Sequence, residues 1–200
     1  MKIVVQTFDI CNNIWYKELI KQLLNYDFEI IVVVSKSQRE SIFRFGKVTY
    51  INTPENLFEF ISFKKVHEYL THEYITDDMY LFIHDTCICG PEFNTKLLNV
   101  YEIMKNKKFD YAPLGINRKI AKHYINKYKT KFNICILSHN FMKNENFKNY
   151  FCTSFSKKEA VAIELGNHNY SFRRWDCVIV DQSLICQVIQ DKKWSCHHGK

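Results

Sequence analysis

Three polar residues end an apolar run in the first half of the chain. The run "YLFI" at 80–83 is followed directly by His84, Asp85 and Thr86. In open parallel sheets, ligands bind beyond the carboxyl ends of the strands. Mg²⁺ and Mn²⁺ favour oxygen ligands and often combine one or two carboxylates with phosphate oxygens. We therefore predict that Asp85 binds a divalent cation, that His84 binds the metal or a phosphate, and that Thr86 adds a hydroxyl contact. The alternative is that Asp85 only caps the turn and the helix start.

Strands and helices alternate in the first half of the chain. Continuous apolar runs such as "EIIVVV" are typical of strands buried on both faces, and "WYKELIKQLL" has the four-residue spacing of an amphipathic helix. Strands are predicted to start near Lys2, Glu29, Lys47, Met79 and Phe109. Helices are predicted after Asn12 or Asn13 as cap, after Thr53 as cap with Pro54 at the first helical position, and after Gly90-Pro91.

This alternation predicts an α/β domain with a mostly parallel central sheet and helices on both faces. The second half is less regular, with strands predicted in "FNICILS" and "WDCVIV" and a helix at 156–164. The length of 200 residues suits one domain, covering 1–200. In such a sheet Thr7, Asp9, Ser35 and Asp85 all follow strands, so we expect them to converge on one crevice.

The sequence lacks several common nucleotide and hydrolase motifs. No G-x-G-x-x-G follows the first strand, where "QTFDICNN" contains no glycine. Neither a P-loop nor a G-x-S-x-G motif occurs. A Gly-rich nicotinamide or methyl-donor site, a P-loop nucleotidase and a hydrolase of the nucleophile-elbow type are therefore disfavoured.

Three segments resemble small glycosyltransferases of the GT-A fold. They are "MKIVVQTFD", "EIIVVVSKS" and "YLFIHDTCICGPEF", and the likeness is closest to compact glycosyltransferase-like domains of large DNA viruses. It covers roughly Met1 to Leu114. The family marker is an Asp-x-Asp motif that holds a divalent cation against a nucleotide-sugar diphosphate. Here the motif is the variant His84-Asp85-Thr86, in which only Asp85 matches an acidic position.

The resemblance implies an enzyme that moves a sugar from a nucleotide diphosphate sugar to an acceptor hydroxyl, with Mn²⁺ or Mg²⁺ as cofactor. It implies a three-layer, Rossmann-like domain. It also implies that Thr7, Phe8 and Asp9 line the nucleoside pocket, that Phe8 touches the base and that Asp9 bonds to base or ribose, with Ser35 completing the pocket. Ordinary core packing is the alternative for Phe8.

An inverting transfer also needs a general base beside the acceptor hydroxyl. Glu164, at the end of a predicted helix before Gly166, is the first candidate, and Asp176 is the second. Glu164 has a simpler interpretation as an exposed helix residue. The acceptor, a glycan or a protein, is not identified by the sequence.

Charge and composition leave two other functions open. The net charge is +7, and six Lys and Arg residues lie between Arg118 and Lys131 with no acidic residue among them. Because Tyr124 and Tyr128 are interleaved there, a nucleic-acid-binding module is a second hypothesis, although a solvated helix face is the simpler one. A catalytically degenerate interaction domain is the third. No signal peptide or membrane-spanning stretch is recognised, so we predict a soluble, cytoplasmic protein, in the host cytoplasm if viral.

Overall fold

The computed structural model describes residues 1–57, 60–70, 78–115, 134–144, 147, 156, 179–180 and 185–187. Ten strands are found there: β1 Lys2–Thr7, β2 Glu29–Val34, β3 Ser41–Phe45, β4 Val48–Asn52, β5 Met79–His84, β6 Cys87–Cys89, β7 Tyr111–Gly115, β8 Cys135–Ser138, β9 Ile179–Val180 and β10 Ile185–Gln187. The helices are α1 Ile14–Leu23, α2 Ile61–Leu70, α3 Phe93–Lys107 and α4 His139–Met142. No helix among these residues is long and apolar enough to cross a bilayer.

Eight strands form one mixed sheet in the order β3-β4-β2-β1-β5-β8-β7-β9. The central block β4-β2-β1-β5 is parallel throughout. β3 and β8 run against it, and β7 and β9 are parallel to each other. The predicted α/β class is thus confirmed, and the five predicted strands all run in one direction. The sheet as a whole is mixed, because β8 inserts antiparallel between β5 and β7.

Each face of the sheet carries its own hydrophobic core. On one face, α1 and α3 bury Leu19, Leu23, Leu97 and Met104 against alternate residues of the central strands. On the other face, α2 and α4 pack together with the fully buried Phe147. Helices therefore cover both faces, as predicted. The strands β1, β2 and β5 are almost wholly buried, which explains their apolar runs, whereas β4 is partly exposed.

Two local predictions were wrong or incomplete. The helix predicted to begin at Thr53 and Pro54 begins at Ile61. Thr53 instead accepts a hydrogen bond from the N–H of Glu55 at 3.2 Å, so it stabilises a turn and not a helix start. β3 was not predicted at all. It forms a hairpin with β4 through Gly46, whose φ of 59° suits a residue without a Cβ.

Four cysteines lie in the described part of the chain, and all are free thiols: Cys11, Cys87, Cys89 and Cys135. Burial raises the pKa of Cys89 to about 12 and raises that of Cys135 well above its ordinary value. Because the thiolate is the reactive form, these two side chains act as small apolar groups and not as nucleophiles.

We predict that the α1 face of the sheet carries much of the stability. Leu19→Ala, at a fully buried position, should lower the free energy of unfolding by about 2–5 kcal/mol, because it removes buried methyl groups and leaves a cavity. Leu98→Ala is the matched control on the exposed side of α3 and should change stability by less than ~0.5 kcal/mol. Urea unfolding measures the free energy of unfolding of both variants. Similar losses in Leu19→Ala and Leu98→Ala would contradict the burial assigned to Leu19.

Candidate functional site

The candidate site lies where the order of the strands in the sheet reverses. The chain runs outward from β1 to β2 and β4, and then returns to place β5 on the other side of β1. Open α/β sheets bind ligands in the crevice where the order reverses, beyond the carboxyl ends of the strands. In this chain that crevice lies between the end of β1 at Thr7 and the end of β5 at His84.

Asp85 joins three segments at this crevice. Its Oδ2 accepts hydrogen bonds from Thr7 Oγ1 at 2.8 Å and from Asn13 Nδ2 at 2.7 Å. Its backbone N–H donates to the carbonyl oxygen of Gln6 at 3.0 Å, which continues the β1–β5 pairing by one residue. The residue is only 9% exposed. The carboxylate therefore bonds directly to the end of β1 and the start of α1.

Asn13 serves two partners at once. Its Oδ1 accepts from the N–H groups of Trp15 and Tyr16 at 3.0 and 3.1 Å, which caps α1. Its Nδ2 donates to Asp85. The predicted cap is confirmed in Asn13. Its link to Asp85 was not predicted, because sequence spacing reveals a cap but gives no sign of a contact 72 residues away.

Asp9 shapes the loop between Thr7 and Asn13. One carboxylate oxygen accepts from the N–H groups of Cys11 and Asn12 at 2.8 and 2.9 Å, and the other accepts from Asn12 Nδ2 at 3.0 Å. These hydrogen bonds, first those from Asn12, lower the pKa of Asp9 below its ordinary value. The loop thus presents an ionised carboxylate beside the crevice.

Phe8 and Ser35 occupy different environments in the same crevice. Phe8 is 44% exposed, with Lys36 Nζ 5.0 Å from its ring centroid, so core packing does not describe it. Ser35 is fully buried, and its N–H donates to the carbonyl oxygen of Thr7 at 3.1 Å. Phe8 therefore offers an open aromatic face, whereas Ser35 is part of the wall.

Thr86 has an unsatisfied hydroxyl. Its Oγ1 is buried and has no hydrogen-bond partner within the part of the chain that the structure describes. Buried polar atoms are rarely left without a partner, so this one calls for an explanation. His84, the last residue of β5, is half-buried and pairs with Gln6 of β1.

An ion-pair network fixes the loop that borders the crevice beyond β2. Lys65 of α2 is buried, and its Nζ lies 2.6, 2.7 and 2.9 Å from carboxylate oxygens of Glu40, Glu55 and Glu68. Burial opposes the ionisation of Glu55, but hydrogen bonds from Lys64 and Lys65 outweigh it and lower its pKa. The backbone carbonyl of Glu55 accepts from the N–H of Lys36 at 3.4 Å, so this network supports the loop that carries Lys36.

The structure thus brings five of the predicted residues together at the carboxyl ends of the parallel strands, as the sequence predicted: Thr7, Phe8, Asp9, Ser35 and Asp85. Glu164 and Asp176 lie outside the described residues, as does the basic stretch from Arg118 to Lys131. Within the described ranges, no group of three or more His, Cys, Asp or Glu side chains could hold a metal ion. Asn13 and Lys36 are the two neighbours of the crevice that the sequence analysis missed as site residues.

Comparison with family models and with curated proteins gives no match for this chain.

We predict that Asn13 and Asp85 are coupled as donor and acceptor. Asn13→Asp keeps an oxygen for the α1 cap but brings a second carboxylate against Asp85. Near neutral pH, the free energy of unfolding of this variant should be about 1–3 kcal/mol lower than that of the wild type. Repulsion raises the folded-state pKa of the pair above its unfolded value, so this loss should shrink on acidification and grow as pH rises.

The double variant Asn13→Asp with Asp85→Asn exchanges donor and acceptor, and should recover most of the stability. Urea unfolding at mildly acidic and at neutral pH measures the cycle. A double variant no more stable than Asn13→Asp alone would contradict the direct coupling of the two side chains.

Proposed function

We propose that this chain is a nucleotide-sugar-dependent glycosyltransferase that binds its donor between the carboxyl ends of β1 and β5. The observation that carries the proposal is the reversal of strand order at this point, with Thr7 and Asp85 in contact across it. Open α/β sheets generally bind ligands at such a reversal. The resemblance of the same strands to GT-A glycosyltransferases supplies the donor class.

The parallel block supports the finer fold assignment. Its order β4-β2-β1-β5 matches the first four positions of the doubly wound strand order 3-2-1-4-5-6, and helices lie on both faces. The antiparallel β8 then distinguishes this sheet from a purely parallel one. We propose a Rossmann-like, GT-A-like domain on these grounds.

Phe8, Asp9 and Lys36 fit the nucleotide part of the donor. The exposed ring of Phe8 can stack on a base, and the carboxylate of Asp9 can accept from a base or ribose donor. Lys36 Nζ, beside Phe8, supplies positive charge at the same edge. The anion of a diphosphate is favoured near such a charge.

The side chains around Asp85 fit a divalent cation held by one protein carboxylate. Mg²⁺ commonly takes one or two carboxylates and completes its shell with substrate phosphates and water, so a set of three protein ligands is not required. Thr7 and Asn13 hold the carboxylate in place. Thr86 and His84 would lie next to the ion or its phosphate. When bound, the ion neutralises the charge that develops on the departing diphosphate.

The internal hydrogen bonds of Asp85 favour one competing function. A buried carboxylate that bonds to Thr7 and Asn13 already has a structural role. A catalytically degenerate domain would keep Asp85 for that role alone and bind no metal. The two functions differ in whether the charge of Asp85, beyond its hydrogen bonds, is needed for ligand binding.

The decisive test replaces Asp85 by Asn. The amide keeps an acceptor for Thr7 or Asn13 but loses the charge, so we expect Mn²⁺-dependent affinity for a nucleoside diphosphate to fall at least about tenfold. Asp110→Asn is the matched control. Asp110 lies at the opposite edge of the sheet, where its Oδ1 accepts from Ser138 Oγ at 2.8 Å. Its replacement should leave binding unchanged.

Titration calorimetry with a panel of nucleoside diphosphates, with and without Mn²⁺, gives the readout. Thermal unfolding adds a check, since a ligand bound only by the folded state raises the melting temperature. Equal affinity of wild type and Asp85→Asn would favour the degenerate domain. No binding of any nucleoside diphosphate to the wild type would reject the donor site itself.

The acceptor side is tested at Glu164. If Glu164 is the general base of an inverting transfer, Glu164→Gln should lower turnover by about 10²–10⁴-fold with donor affinity unchanged. Asp176→Asn is compared with it under the same conditions. Unchanged turnover in Glu164→Gln, with loss in Asp176→Asn, would transfer the role to Asp176.

A further inference from the structure

The hairpin strand β3 exposes an unusual amount of apolar surface. Three of the seven large hydrophobic side chains that are exposed in the described part of the chain lie in these five residues. They are Ile42 at 57%, Phe43 at 46% and Phe45 at 78% exposure. Single exposed apolar side chains are normal, but a cluster on one strand marks an interaction surface.

Among the strands that the structure describes, β3 is also the end of the sheet. It pairs with β4 on one side, and the strand order ends there. An edge strand presents unpaired N–H and C=O groups, and proteins usually protect such edges with charges, prolines or bulges. Within Ser41–Phe45 the only charged residue is Arg44, and there is no proline.

The strand is held firmly enough to act as a template. On one face, Phe43 stacks on Tyr50 of β4 with ring centroids 4.9 Å apart. On the other face, Glu40 bonds to Lys65 of α2 at 2.6 Å. The edge is therefore ordered before any partner arrives, which lowers the entropic cost of pairing.

We propose that two copies of this chain associate through β3, as antiparallel neighbours about a two-fold axis at Ile42. A two-fold interface brings the same surface of both copies together. Such an axis, perpendicular to the sheet, places Ile42 opposite the Ile42 of the second copy. Arg44 then lies opposite Glu40 of the second copy, and Phe45 lies opposite Arg39 of the second copy. The two-fold symmetry repeats each of these pairs once.

The charges select this register from its neighbours. An axis at Phe43 would place Arg39 opposite Lys47, and an axis at Arg44 would place two arginines opposite each other. An axis at Ser41 would create no pair of opposite charges. Opposite charges across strands stabilise and like charges destabilise. Arg44 lies 3.9 Å from Glu29 and Glu40 bonds to Lys65 within one copy, but both side chains are more than 60% exposed, so both can also reach across.

The second copy is a better occupant than an unrelated strand, because Arg44 and Glu40 make this edge complementary to itself in charge. The strand is short, so the dimer should be weak and depend on concentration, as interfaces below about 1,000 Å² are. The proposal does not depend on the glycosyltransferase assignment.

Sedimentation velocity from micromolar to millimolar concentration tests it. We expect reversible conversion from a 24.0 kDa monomer to a species of twice that mass. Ile42→Lys places two ammonium groups on the axis and should abolish the dimer. Leu98→Lys, at an exposed site on α3, is the matched control and should leave it intact. A wild type that stays monomeric throughout, or a dimer that survives Ile42→Lys, would overturn the proposal.

The register has its own test. Arg44→Glu should raise the dissociation constant about tenfold, because two cross-strand pairs change from attraction to repulsion. Arg44→Gln, which removes the charge without reversing it, should have a smaller effect. Circular dichroism checks each variant for folding, and the amides of β3 should gain protection from hydrogen exchange as wild-type concentration rises. A dimer insensitive to Arg44→Glu would reject the Ile42-centred register.

Discussion

The hydrogen bonds of Asp85 to Thr7 and Asn13 are the constraint on which this edge of the molecule depends. They join segments 78 and 72 residues apart in the chain, and they converge on one carboxylate oxygen. Because Asn13 also caps α1, the position of that helix is tied to the end of β5. These hydrogen bonds thus join the ends of β1 and β5 and the start of α1 around one carboxylate.

A carboxylate with both a structural and a metal-binding role is physically consistent. Burial at 9% exposure lowers the local dielectric, which strengthens its attraction for a cation. The donors at Oδ2 orient the group and prevent it from turning away. The same burial makes the carboxylate costly to leave without partners. Replacing Asp85 by alanine would therefore remove both its charge and its hydrogen bonds to Thr7 and Asn13. Replacing it by asparagine removes the charge and keeps an acceptor, so it tests the charge separately.

Local pattern predicted the parallel half of the fold well, because β1, β2 and β5 contain apolar runs and α1 has a clear apolar stripe. It failed where partners far along the chain decide the structure. Pro54 after Thr53 is a favourable helix start, yet the ion pairs of Glu55 with Lys64 and Lys65 hold that segment as a loop. β3 was missed because its side chains are exposed on both faces, so its sequence does not alternate between apolar and polar residues. The signal that could have revealed it is Gly46, which lies between two runs of β-prone residues. The strand-end residues of the site followed from topology, whereas the donors to Asp85 did not.

The two proposals are geometrically compatible, because the crevice lies at the strand ends in the middle of the sheet and the dimer uses the lateral edge strand. The crevice opens at the carboxyl ends of β1 and β5, in the middle of the strand order, whereas β3 is at its end. Pairing β3 with its copy extends the sheet sideways and covers no strand ends. Because β3 is antiparallel to β4, β2 and β1, and the paired copies of β3 are antiparallel to each other, β1 of one copy runs opposite to β1 of the other. The two crevices therefore open in opposite directions, so each remains accessible to its own ligand when the dimer forms.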